Sequence, residues 1–459
     1  MRRKAFLIIF ISLTAAFAGM KIGFTFHQAV TAGIFCMSLM GIILLWDLRL
    51  SFVFFGAGLL LFTRSVDLEN FLRFASLDVI LFLIGMMILV GMLNEAGLIY
   101  WLITRLLTIK GITGRKLFLL IMTASALSSG LMGEVASIII MAKIIITISD
   151  FFEMDPIPLL ISSVLATNIG SAGTVLGNPI GVLIAARGKL TFEDFLAQAL
   201  PITVVVLIMT LIVLLFWYRN YIKTLHEKLV ALEENTSFLS LISIPAERKV
   251  KVSAAIFIIT VIAIGLHRRL ELLFGLEENT LLLMLPIVAA GVVLLYRHDK
   301  VRYYVEHEVE WPSILFFLFL FALAGVIKFS GISDFFANKL IAHFGMRPGI
   351  LSGLMLFSSG VLSSVLDNTV VVASYIPTVQ SLGAMHVSLR PLWWAILFGA
   401  CYGGNITIIG STANIIATDI LEKQLSKKIN FFVWLKIGLV VGVLSMTASL
   451  VLLRFFSFP

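Results

Sequence analysis

Charge is what this sequence has least of. Only 13% of its 459 residues are charged, about half the share of an ordinary soluble chain. That shortage excludes a water-soluble enzyme, and a hydrophobic content of 60% places the chain in lipid. Cysteine is nearly absent as well. Cys36 and Cys401 lie far apart inside apolar runs, which excludes a disulfide framework and a paired-cysteine metal site and leaves them as packing residues. The zinc-protease helix motif, the phosphate-cradling glycine-lysine loop and the nucleophile elbow do not occur, so ATP-driven pumping by this chain alone is not expected. His27, His226, His267, His298, His307, His343 and His386 fall in loops or at segment ends, too dispersed for a metal cluster. The net charge of +8 is assigned to membrane topology and not to nucleic acid, because no basic stretch is interleaved with a soluble aromatic fold.

What the chain does have is apolar length. Segments at 5–18, 29–46, 51–63, 79–94, 117–148, 158–186, 199–218, 253–267, 280–296, 312–328, 349–383, 393–418 and 434–453 are bounded by polar clusters. In lipid such segments satisfy their backbones only as helices, so the expected fold is an all-α polytopic membrane protein. The stretches 117–148 and 349–383 are too long for one helix and are interrupted by Ser128-Ser129-Gly130 and Ser358-Ser359-Gly360. With arms of about 18 Å against a core of about 30 Å, both are expected to be re-entrant hairpins. About eleven crossings remain. The opening, Met1-Arg2-Arg3-Lys4 followed by an apolar run ending in Ala16-Phe17-Ala18, also matches a signal peptide.

An N-terminus on the cytoplasmic side places twenty of the 34 Lys and Arg residues in inside loops and eleven in outside loops. That bias supports a cytoplasmic N-terminus and an outside C-terminus in the cell's inner membrane. Trp46, Trp101, Trp217, Trp311, Trp393 and Trp434 fall at or near segment ends and are expected to act as interfacial anchors, with Trp394 beside them. The chain then divides into an N-terminal span at 1–28, a first repeat at 29–218, a polar cytoplasmic linker at 219–251 and a second repeat at 252–459. At an offset of 233 residues, Gly170, Thr174 and Gly177 fall on Gly403, Thr407 and Gly410, and Glu134 falls on Asp367. Each copy holds an odd number of crossings, so the second starts on the opposite side from the first, the arrangement of inverted-repeat transporters.

Such transporters bind their solute near the midplane, where broken helices expose backbone dipoles. The segment Thr167-Asn168 to Pro179 supplies Asn168, Gly170, Gly173, Thr174, Gly177 and Asn178, within a broken helix at 158–186. Its counterpart at 393–418 supplies Gly403, Gly404, Asn405, Thr407, Gly410, Ser411 and Asn414. The glycines are read as helix breaks and the Asn, Thr and Ser side chains as ion or solute ligands; a seam of small packing residues is the alternative. Ionisable residues inside the membrane are costly and mark function. Asp367, with Asn368 and Thr369, follows the tip of the second hairpin and is a candidate for binding a proton or sodium ion, or for capping the returning helix. Glu134 takes the matching place in the first hairpin, and Lys143 either pairs with it or snorkels. Asp78, Glu95 and Lys328, at segment ends, are placed outside the site.

The runs Phe82 to Gly91, Asn168 to Pro179, Leu366-Asp367-Asn368-Thr369 and Gly403 to Asn414 resemble the ion transporter superfamily. The resemblance is to the branch of arsenite efflux permeases, NhaD-type sodium/proton antiporters, citrate transporter-like proteins and the melanosomal P protein. It implies a homodimer, a scaffold at roughly 29–115 and 252–346, and a mobile part that carries both hairpins and both broken helices in an elevator-like movement. Members commonly carry an Asp-Asn pair in the first hairpin and a second Pro followed by Asn after the first break. Here Glu134-Val135-Ala136 and Asn178-Pro179-Ile180-Gly181 stand instead, so the first half offers fewer polar ligands.

Two acids and no arginine at the centre favour cation-coupled export of an inorganic ion, with H+ or Na+ as the coupling ion and no other cofactor. Sodium is expected at Asn168, Asn405 and Asp367, with no resident metal otherwise. Sodium/proton exchange and arsenite or antimonite efflux remain equal readings, the latter with an ATPase subunit as a potential partner. Citrate or dicarboxylate symport is the alternative. A channel would carry a continuous polar stripe and a lipid-modifying enzyme a nucleophile or metal pair, and neither is visible.

Overall fold

The computed structural model describes residues 2–98, 101, 112–233 and 248–456, and among them every regular element is helical. Apart from single turns the helices are α1 (Arg2–Ile22), α2 (Phe26–Leu44), α3 (Arg49–Phe62), α4 (Leu68–Phe74), α5 (Leu77–Ala96), α6 (Gly114–Met132), α7 (Glu134–Phe151), α8 (Ile157–Ser171), α9 (Pro179–Gly188) and α10 (Leu200–Trp217). They continue as α11 (Arg219–Glu233), α12 (Arg248–Gly265), α13 (His267–Phe274), α14 (Thr280–Tyr296), α15 (Trp311–Phe329), α16 (Ile332–Phe344), α17 (Pro348–Ser363), α18 (Asn368–Ala384), α19 (Arg390–Gly403), α20 (Thr412–Leu425) and α21 (Phe431–Phe456). Among the described residues seven helices are long and apolar enough to cross a bilayer, or nine if each of two bent pairs counts as one span. The chain is an all-α polytopic membrane protein.

Hydrophobicity on all sides of a helix leaves its environment open, and exposure separates the cases. Along α10, Val204, Val205, Ile208, Ile212 and Phe216 form an exposed apolar stripe, the face a bilayer would cover. Every residue of α8 from Leu159 to Ser171 and of α19 from Pro391 to Gly403 is buried within the protein. These two helices are the centre of the fold. α6 packs along α8 and α17 along α19, and the second hairpin arms cross over, α7 against α20 and α18 against α9.

Both stretches fold back on themselves as helix pairs, but they turn elsewhere than expected. α6 runs through Ser128-Ser129-Gly130, because the Ser128 hydroxyl bonds back to the Ser125 carbonyl at 3.2 Å and leaves the helix intact. The reversal falls at Gly133, whose φ of 92° suits glycine. In the second hairpin α17 likewise continues past Gly360, and the turn lies at 364–367. The 19 residues of α6 give an arm of about 28 Å, longer than the 18 Å the sequence suggested.

The glycines at the breaks serve packing. None of Gly170, Gly173, Gly177, Gly403, Gly404 and Gly410 has a positive φ. A Cβ on Gly170 would stand 2.2 Å from the Ala126 carbonyl oxygen, and one on Gly403 would stand 2.3 Å from that of Gly360. Removing the side chain lets α8 meet α6, and α19 meet α17, backbone to backbone. Gly403→Ala is therefore expected to push α17 and α19 apart at a cost of about 1–3 kcal/mol, read as a lower melting temperature of the purified protein.

Two interfacial anchors are instead core residues. Trp393 and Trp434 are fully buried, as is Trp394, whose indole donates to Gln198 Oε1 at 2.5 Å. The linker also departs from expectation. Its first part is α11, which lays Ile222, Leu225 and Leu229 against α6, while 234–247, including Glu234-Asn235-Thr236, lie outside the described residues, as do Arg105 and Lys110 of the topology count.

Candidate functional site

Both broken helices stop where the Asn, Thr and Gly clusters predict. α8 ends at Ser171, a single turn occupies Val175–Gly177, and α9 begins at Pro179 under an Asn178 cap whose Oδ1 accepts from the Gly181 amide at 2.7 Å. α19 ends at Gly403, and α20 begins at Thr412 under a Ser411 cap. In each half of the chain one threonine of the break holds the preceding hairpin. The Thr174 hydroxyl donates to the Gly130 carbonyl and the Thr407 hydroxyl to the Ser364 carbonyl.

The polar residues of the two breaks and hairpins gather in three groups. In the first, Asn168 Nδ2 donates to Asn405 Oδ1 and to Asn414 Oδ1, both at 2.8 Å, and Asn168 Oδ1 accepts from the Ser411 hydroxyl at 3.1 Å. Asn414 Nδ2 then donates to the carbonyls of Gly404 and Thr407, both at 2.8 Å. Both amide protons of Asn168 and of Asn414 are thus consumed within the protein, and these side chains act first as a knot joining the two broken helices. The second group is Asn178, whose Nδ2 reaches the Ser171 hydroxyl at 3.0 Å and Cys401 Sγ at 3.2 Å.

The third group joins the hairpins. Asp367 is 3% exposed and caps α18 by accepting from the Thr369 amide at 2.9 Å. Its other oxygen accepts from the Thr412 hydroxyl at 2.6 Å and the Thr412 amide at 3.2 Å. One carboxylate therefore faces the N-termini of α18 and α20, where helix dipoles stabilise negative charge. Glu134, also 3% exposed, opens α7 and accepts from Asn368 Nδ2 at 3.2 Å. The helix starts match Glu134 to Asn368, one residue out of step with the 233-residue offset, so Asp367 is the counterpart of Gly133 as the cap residue. Among the described residues Asp367 and the Asn168 knot share no hydrogen bond; they are linked through the chain neighbours Ser411 and Thr412. Lys143 is exposed and forms no ion pair with Glu134 among the described residues.

A cavity of about 300 Å³ opens beside the third group. Gly133, Glu134, Asn178, Asp367, Thr369 and Thr412 line it together with Arg49, His307, Glu308, Glu310 and many apolar residues. Local patterning does not mark Arg49, His307, Glu308 and Glu310, which lie at segment ends. Arg49 overturns the arginine-free centre, its guanidinium 4.4 Å from the centroid of the Trp46 ring. His307 lines the cavity, and His267 is fully buried away from it. Glu95 stays outside the site, bonded to Arg297 at 2.9 Å and Lys300 at 2.5 Å.

Trp434 was missed for a different reason. Its indole N–H donates to the Asn405 carbonyl at 3.1 Å, satisfying a backbone acceptor that the broken helix leaves free. A Cβ on Gly438, one turn on, would stand 2.4 Å from the same oxygen. α21 is thus pressed directly onto the second break, a contact with no signature in local composition.

Several known proteins are similar to this chain over most of its length. An uncharacterized transporter of Mycobacterium tuberculosis is 28% identical over 390 residues, covering 83% of this chain and 87% of its own. One of Synechocystis is 22% identical, over 86% of this chain and 90% of its own. The P protein of Homo sapiens is 24% identical over 84% of this chain and 54% of its own. The citrate transporter family model (CitMHS) matches residues 34–399 and, overlapping them, 284–458. With nearly its whole length so matched, the chain belongs to the citrate transporter family and is an integral membrane transporter.

Proposed function

We propose that this transporter is a secondary active carrier in which Glu134 and Asp367 bind the coupling cation, H+ or Na+, and the adjoining cavity holds the solute. The observation that carries this reading is the placing of two buried carboxylates at the tips of two hairpins, both lining one cavity and neither paired with a basic side chain among the described residues. Buried carboxylates are costly unless a proton or cation visits them. Four acids in the lining, Glu134, Asp367, Glu308 and Glu310, against Arg49 and His307, favour export of an inorganic ion such as sodium, or of uncharged arsenite, over carriage of a polyanion. The repeats at 29–218 and 252–459 are taken as inverted copies, the hairpins and broken helices as the part that moves, and the working unit as a homodimer in the cell membrane.

One observation favours a second reading. Arg49 in the cavity wall suits a carboxylate, and with the family's description it supports citrate or dicarboxylate symport. Purified protein in liposomes with imposed pH or sodium gradients, offered sodium, arsenite, citrate and succinate in turn, separates the readings. Gradient-dependent movement of sodium or arsenite is expected. Accumulation of citrate or succinate alone would replace the first reading with the second, and movement of none would sink both.

A further inference from the structure

We propose that a second cavity, of about 530 Å³, is a binding site for an anion bearing phosphate or carboxylate oxygens. Three cationic side chains from three helices converge on it: Arg73 of α4, Arg187 in the last turn of α9 and Lys328 in the last turn of α15. Asn70, Ser76 and Gln380 add neutral polar groups, and neither Asp nor Glu lines it.

Among the described residues the cations hold few hydrogen-bond partners of their own. Arg187 donates to the Ser76 hydroxyl and stands 4.0 Å from the partly exposed Asp78, and Lys328 donates to Gln380 Oε1 at 3.2 Å. A guanidinium offers five donors and an ammonium three, so most remain free for oxygen acceptors. Basic residues at helix ends commonly snorkel to water, each along its own path. Here they enter a common cavity, where their mutual repulsion is relieved by a bound anion.

Its position separates it from the acid-lined cavity. The two share α9, α15 and α18, but Val182, Phe317 and Thr369 face the acidic cavity while Leu183, Phe321 and Ala373 face the basic one. Along α15 and α18 they lie about one helical turn apart. Neighbouring cavities of opposite charge select opposite ligands, so the basic cavity does not take the cation proposed for Glu134 and Asp367. The anion reaches it either free from water or as the headgroup of an acidic lipid. Phe329, which lines the cavity and is 51% exposed, brings it to the protein surface, where either source can reach it.

The test uses the full chain in nanodiscs of zwitterionic lipid. Inorganic phosphate and citrate are titrated calorimetrically, and phosphatidylglycerol is added in a separate arm read by native mass spectrometry. The wild type is expected to bind at least one probe, less tightly as salt rises. Arg73→Gln combined with Lys328→Gln weakens that binding by roughly tenfold or more, while Lys339→Gln, on α16 outside the cavity, does not. Binding of phosphate or citrate identifies a free anion, and binding of phosphatidylglycerol alone identifies a lipid headgroup. Failure of the wild type to bind any probe, or equal binding by the double variant, overturns the proposal. Since the readout is binding, the result is independent of whether Glu134 and Asp367 couple transport.

Discussion

Glu134→Gln reduces gradient-driven transport to the level of protein-free liposomes while the purified protein keeps its wild-type elution profile and melting temperature. The substitution is nearly isosteric, and the amide oxygen still accepts from Asn368 Nδ2. It removes the capacity to exchange a proton or neutralise sodium and little else. Asp367→Asn is expected to abolish transport too, but with a structural cost. An asparagine oxygen can keep the Thr369 amide bond, yet its NH2 group then faces the Thr412 amide, donor against donor. The capping role and the ion-binding role thus coincide in one side chain, and a loss of about 1–3 kcal/mol accompanies the loss of transport. Thr412→Val separates the two. It removes the 2.6 Å hydroxyl contact to Asp367 and leaves the charge, so transport persists at reduced stability. Undiminished coupled transport in Glu134→Gln would remove this residue from the coupling site.

Asn168→Leu has the largest expected effect on stability. Three buried groups, Asn405 Oδ1, Asn414 Oδ1 and the Ser411 hydroxyl, lose their partner together, and Leu cannot replace any of them. Each unsatisfied buried polar group costs about 1–3 kcal/mol, and in a site closed to water no solvent compensates. Several kcal/mol is comparable with the whole stability of an ordinary fold. The variant should therefore be recovered mainly as aggregate in size-exclusion chromatography. Asn168→Asp is a milder test. It keeps the acceptor for Ser411 but sets a carboxylate against two amide oxygens, and a folded protein is expected only where that carboxylate is protonated. Wild-type recovery of Asn168→Leu would mean that the knot carries no stability.

Much of this arrangement was legible in the chain because lipid makes polarity expensive. Asn168, Asn405, Asn414, Glu134 and Asp367 stand out as polar residues in apolar surroundings, and the structure gathers them at two hairpin tips and two helix breaks. The glycines were equally visible, but their purpose was not. Helix breaking and close packing call for the same residue, and only the φ values and the 2.2 Å that would separate a Cβ on Gly170 from the Ala126 carbonyl oxygen decide between them. Trp434 looked like an interfacial anchor because its place in the sequence is a segment end, whereas its indole is buried against the Asn405 carbonyl.

Composition and hydrophobic patterning by themselves determined that the chain is helical, embedded in lipid and interrupted at four places, since each of these follows from the cost of leaving backbone or charge unsatisfied in hydrocarbon. Which polar groups meet was decided only by tertiary structure. Asn168 reaches Asn414 across 246 positions and Asn368 reaches Glu134 across 234, and a one-residue shift makes Asp367 the counterpart of Gly133 as the cap residue. The opposed charges of the two cavities arise in the same way, from residues at the ends of different helices whose juxtaposition local patterning does not encode.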